Sequence, residues 1–93
     1  MSVRTPFSDL PAQSQAGILC NTRHFQDFAA LECGFPRGTF GHSATAEYLR
    51  KFCGIDSRRE FETNETAREK LAVLRTEYDA WRGVIPKPRD YHP

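Results

Sequence analysis

The sequence has little of what usually announces a function. It contains three cysteines, at positions 20, 33 and 53, with no Cys-x-x-Cys clamp among them. An odd, widely spaced set argues against a disulfide framework and points to reduced, cytosolic residence. No apolar run approaches the length of a signal core or a membrane span, so neither a targeting segment nor a membrane partner is expected. Charge of one sign is missing too. Residues 1–46 carry three basic and three acidic side chains, residues 47–93 carry ten and nine, and the chain sums to +1. A whole-protein basic field of the kind that tracks nucleic acid is therefore absent. With 93 residues there is room for one core, a deep substrate cavity would be hard to build, and stability should be roughly 5–10 kcal/mol.

What is present is helical periodicity. Ala67, Leu71, Leu74, Tyr78 and Trp81 recur at helical intervals, with charges of both signs between them. This predicts a long helix over 64–82 with one buried stripe. Thr63 or Asn64 can cap its start, Arg82 suits its carboxyl end, and Gly83 can take the left-handed stop. An earlier helix over 11–20 is expected, with Pro11 as first helical residue and Asp9 nearby as cap. Asn21-Thr22 interrupts it, and Phe25, Phe28 and Ala29 carry a second helix over 22–33. Ser43 is a natural cap for a third helix over 44–53, ended by Gly54, with Ala46, Leu49, Phe52 and Cys53 inward. Ser57 and Glu60 fit a capping box opening a short turn over 58–62. Residues 1–10 read as an extended arm, and 84–93, with three prolines, as an extended tail. The expected fold is a single all-α domain over 11–83, a bundle of about four helices with the last one as its spine.

The polar residues hold the candidate chemistry. Cys20, His24, Cys33 and His42 offer four metal-type donors, but not at the spacing of a finger or ribbon, so buried free thiols and no bound metal or cofactor are expected. His24 or His42 could approach Cys33, but no spacing fixes the geometry of thiolate, base and orienting group that a nucleophilic site needs, and a chain this short offers little room for a pocket. The carboxylate pairs Glu65/Glu69 and Glu60/Glu62 lie in charge-mixed segments, and Gly34, Gly38 and Gly41 lack the lysine and following helix of a phosphate loop. No enzyme is predicted. Residues 44–62 read helix, glycine turn, second helix, yet Arg50 sits where close packing wants a small side chain and the second helix is too short for a major groove.

Two surfaces remain as recognition candidates. One is the loop from Gly34 to His42, where Phe35, Arg37 and Phe40 have the chemistry of a protein-binding hot spot, unless the two rings fill the core. The other is the corner around Gly54, with Arg50, Lys51, Arg58 and Arg59. There the alternatives are an ion-pair network with Glu47, Asp56, Glu60 and Glu62, a protein contact through Arg58 and Arg59, or a phosphate-contacting ridge of all four basic residues for nucleic acid.

The stretch Tyr48-Leu49-Arg50-Lys51-Phe52-Cys53-Gly54-Ile55-Asp56-Ser57-Arg58-Arg59-Glu60, followed by the final helix, resembles short tailed-phage and prophage proteins with a similar Cys-Gly-Ile-x-Ser-Arg corner. The resemblance covers about residues 18–82. It implies a phage protein in the bacterial host cytoplasm, from early genes that act in DNA recombination or against host defences. In size and helical character the chain is also similar in style to anti-CRISPR proteins. The expected function is non-enzymatic: binding and occluding a protein partner, such as a CRISPR-type or nucleic-acid-processing effector. The alternative is a nucleic-acid-binding accessory factor in phage recombination or replication. Both a monomer and a homodimer, the latter through the Tyr78–Trp81 stripe, fit the sequence.

Overall fold

The computed structural model describes residues 7–83, which form four α-helices and two short 3-10 turns, with no strand among the described residues. The helices are α1 (Ala12–Cys20), α2 (Arg23–Glu32), α3 (His42–Cys53) and α4 (Glu65–Trp81), and the 3-10 turns are Phe7–Asp9 and Arg58–Glu62. The all-α bundle expected from periodicity is the fold found. The remainder of the amino-terminal arm and the proline-rich tail over 84–93 lie outside the described residues.

Each helix buries one stripe against the others. Ala67, Leu71, Leu74 and Tyr78 of α4 meet Leu49 and Cys53 of α3, Phe25 and Phe28 of α2, and Ala16, Leu19 and Cys20 of α1 in one core. α3 packs on all three other helices, and α1 also carries the Arg58–Glu62 turn, which sends Phe61 into the same core. Burial of Phe25, Phe61, Leu49, Leu71 and Leu74, each essentially complete, contributes about 1.5–3 kcal/mol per side chain before the entropy of ordering the chain is subtracted.

Three expected boundaries differ. Pro11 is the cap of α1 and not its first helical residue: its ψ is 149° while its carbonyl already accepts from the Gln15 amide. Asp9 makes no cap and lies in the Phe7–Asp9 turn, so the arm is not extended over those residues. Ser43 lies inside the first turn of α3, because Gly41 is the cap: its carbonyl accepts from both the amide and the hydroxyl of Thr45, at 3.1 and 2.7 Å.

The carboxyl end of α1 shows how a helix can stop without glycine. Asn21 Nδ2 donates to Gly17 O, Thr22 Oγ1 to Ile18 O, the Thr22 amide to Leu19 O, and buried Gln26 Nε2 to Cys20 O. With the Asn21 amide also on Ile18 O, all four terminal carbonyls are satisfied by polar side chains and two amides, which lets α2 begin after only two intervening residues.

Candidate functional site

The loop between α2 and α3 is built by its glycines and one buried acid. Gly34, at φ 88°, closes α2 in a Schellman motif, with the Phe35 amide on Ala30 O and its own amide on Leu31 O. A turn follows from Pro36 to Thr39, with Gly38 at φ 85° in the position that needs a left-handed residue. The Gly38 amide donates to Asp27 Oδ1 at 2.9 Å, and Asp27 is itself buried on α2 with Arg23 Nη1 3.7 Å from the same oxygen. The loop is thus fastened in its middle to the body of the protein.

On that frame the three predicted loop residues take different roles. Phe35 is 49 % exposed, and its ring lies 5.8 Å from that of half-buried Phe40. The two rings are therefore surface groups and not plugs of the core. Arg37 is turned back onto the protein, its guanidinium 5.1 Å from the centre of the Trp81 ring. Trp81 in turn packs on Phe28 and Tyr78 and meets His24 edge-on. Of the Tyr78–Trp81 stripe, Tyr78 is buried in the core and Trp81 is half-buried against it. Beside Phe40 a cleft of about 280 Å³ opens between the loop and α3, lined by Cys33, Ala44, Tyr48 and the Glu47–Lys51 pair. Burial, with Glu32 and Cys33 next in effect, pushes the Tyr48 hydroxyl well above its usual range and keeps it neutral.

The basic corner is well formed as backbone. Gly54, at φ 76°, sends Ile55 into the core with its amide on Arg50 O. Ser57 and Glu60 form the expected capping box, Glu60 Oε2 accepting from the Asp56 and Ser57 amides at 2.9 and 3.1 Å. With Glu60 committed to the backbone, the ion-pair network expected there reduces, among the described residues, to Lys51 with Glu47 at 3.5 Å. Arg58 lies against α1, its Nη1 occupying the place a Cβ on Gly17 would fill. Arg50 is half-buried, and Arg59 is exposed. Burial raises the Cys20 thiol, and the positive charges of Arg58 and Arg50 oppose that rise. The loop and the corner are not joined by any ring contact, ion pair or hydrogen bond among the described residues.

The four metal-type donors Cys20, His24, Cys33 and His42 are dispersed. Cys20 and Cys53 are buried in the core, Cys33 is exposed at the end of α2, His24 meets Trp81 edge-on, and His42 opens α3. Among the described residues no three His, Cys, Asp or Glu side chains are grouped to hold a metal ion, and no helix is long and apolar enough to cross a membrane. Three participants escaped sequence reasoning: Asp27 as clamp of the loop, Trp81 as the seat of Arg37, and Gly17 as the bed of Arg58. Only Gly17 carried a signal, since a glycine inside a helical pattern marks a close approach. The chain matches no protein-family model, no curated protein and no solved structure.

Proposed function

We propose that this chain is a non-enzymatic binding module whose Phe35–Phe40 loop docks on a protein partner and occludes a functional surface there. The observation that carries the reading is the exposure of Phe35 beside Phe40 on a loop fastened by the Asp27–Gly38 hydrogen bond. A large ring offered from a frame that is already ordered loses little entropy on binding, and central aromatics of this kind dominate interface energetics. The neighbouring cleft supplies a place for a partner side chain. In the phage setting implied by the corner motif, the partner is a bacterial host effector of defence or nucleic-acid processing.

The test is affinity capture from bacterial lysate with the wild-type chain and a Phe35→Ala/Phe40→Ala variant side by side. A protein retained by the first and lost from the second is the expected result, and equal recovery sinks the reading. The nucleic-acid alternative rests on Arg50, Lys51, Arg58 and Arg59; Lys51 is paired with Glu47, while the three arginines have no carboxylate within ion-pair distance among the described residues. Fluorescence anisotropy with labelled single-stranded and duplex DNA, at low and physiological salt, decides it, because phosphate binding weakens steeply as salt rises.

A further inference from the structure

α1 is the only described helix with no charged side chain. Its inner face, Ala16, Leu19 and Cys20, belongs to the core, while Ser14, Ile18 and Asn21 point outward in one stripe with helical spacing. Ile18 is 46 % exposed at the middle of that stripe. Grooves run along both sides of it, and Ile18 is the ridge they share. One, of about 310 Å³, lies toward α4 and is bordered by Arg75 and the Asp79–Arg82 pair. The other lies toward the Arg58–Glu62 turn and is bordered by Gln13, Gly17 and Arg58.

The two flanking arginines are alike in two ways. Neither Arg58 nor Arg75 has a carboxylate within ion-pair distance among the described residues. Both are already laid against the protein, Arg58 on the backbone at Gly17 and Arg75 over the Phe7 ring at 4.9 Å, with a further hydrogen bond to Gln15. Each is thereby held in place, so less side-chain entropy is lost when it takes an acidic group. The result is an apolar ridge, edged by neutral amides and hydroxyls, between two fixed positive charges.

We infer that this face of α1 is a second docking surface, independent of the Phe35–Phe40 loop, shaped for a segment of a protein partner that carries an apolar side chain between acidic ones. Charge complementarity selects the acids and Ile18 selects the apolar anchor. Nucleic acid fits less well. Phe7 is covered by Arg75 and Tyr78 is buried, so no free ring is offered for base stacking. Asp79, which borders the groove toward α4, is neutralised by Arg82, and Glu62 lies at the far end of the α1 face next to Gln13 and Ser14. Acidic side chains placed only beside Arg58 and Arg75 avoid both carboxylates, whereas a continuous phosphate backbone would run past them. A second copy of this chain would bring arginine against arginine across a two-fold axis, while Asp79 is already committed to Arg82.

The experiment is fluorescence anisotropy of a labelled helical peptide with a central Leu flanked by Glu on both sides, compared with the same peptide carrying Gln for Glu and with single-stranded DNA. The expected result is binding of the acidic peptide only, weakening with salt, and reduced about tenfold by Arg58→Gln/Arg75→Gln. Ile18→Asn, a surface change, should reduce it by a similar factor, and Phe35→Ala should leave it unchanged. Circular dichroism verifies that each variant keeps its helices. Equal binding of the Gln peptide, tighter binding of DNA, self-association through Ile18, or no binding at all would each overturn the inference.

Discussion

The guanidinium of Arg37 lies over the indole of Trp81, 5.1 Å from its centre, and ties the tip of the α2–α3 loop to the end of the last helix. A second tie, from the Gly38 amide to Asp27, holds the next residue of the same turn. One is a soft stacking contact at the surface. The other is a hydrogen bond to a buried carboxylate.

Their unequal nature sets unequal costs. Arg37→Ala should lower stability by about 0.5–1 kcal/mol, the usual worth of an exposed cation–π contact, and shift Trp81 emission to the red as the ring meets water. Asp27→Ala leaves the Gly38 amide without its acceptor and should cost about 1–3 kcal/mol. Urea titrations followed by Trp81 fluorescence measure both. If Arg37→Ala leaves emission unchanged, the loop is not seated on the indole.

Binding and folding should separate cleanly among the phenylalanines. Phe35 is half-exposed and Phe61 is 1 % exposed. Phe61→Ala should therefore cost about 3–5 kcal/mol and threaten folding, whereas Phe35→Ala should change stability by no more than about 0.5 kcal/mol. Thermal melts of the two variants compare them directly. A large loss with Phe35→Ala would place that ring in the core and remove it from the binding surface.

The outcome for these residues shows which parts of the molecule sequence could reveal. α4 was legible because stripe, cap and stop agree: Asn64 accepts from the Ala67 amide, and Gly83 takes φ 84°. The Ser57–Glu60 box was legible for the same reason, being local chemistry at a fixed spacing. Helix starts at Pro11 and Ser43 were misplaced because backbone carbonyls, from Pro11 and Gly41, open those helices without any side-chain cap. The contacts that shape the two surfaces, Arg37 with Trp81 and Arg58 with Gly17, join residues far apart in the chain. No periodicity encodes them; they exist only once the Arg58–Glu62 turn is packed on α1 and the α2–α3 loop is packed on α4.

The cysteines should differ in reactivity for reasons of burial. Cys33 is exposed, while burial pushes the Cys20 thiol up and the Cys53 thiol up to about 11, with Lys70 opposing the latter. At about pH 8 a chromogenic disulfide should modify Cys33 rapidly and the other two only after denaturant is added. The same shifts make stability depend on alkali. A thiol whose pKa is raised by folding adds stability that is complete below its unfolded value and is lost as the folded value is passed. Stability should accordingly fall as pH rises from about 9 through about 11, and Cys53→Ser should flatten part of that fall in urea titrations.

Gly17 offers the sharpest separation of stability from binding. In the middle of a helix glycine is normally less favourable than alanine by about 0.5–1 kcal/mol. Here a Cβ would collide with Arg58 Nη1, the far end of a flexible side chain that can swing away. Gly17→Ala should therefore keep or slightly raise the melting temperature while moving Arg58 out of its bed beside α1. Affinity for the acidic peptide should then fall, although Arg58 itself is intact. A melting temperature several degrees lower would mean that the Arg58–Gly17 packing outweighs helix propensity. Unchanged peptide affinity would mean that the position of Arg58 over α1 does not matter to docking, leaving Arg75 and Ile18 to carry that surface alone.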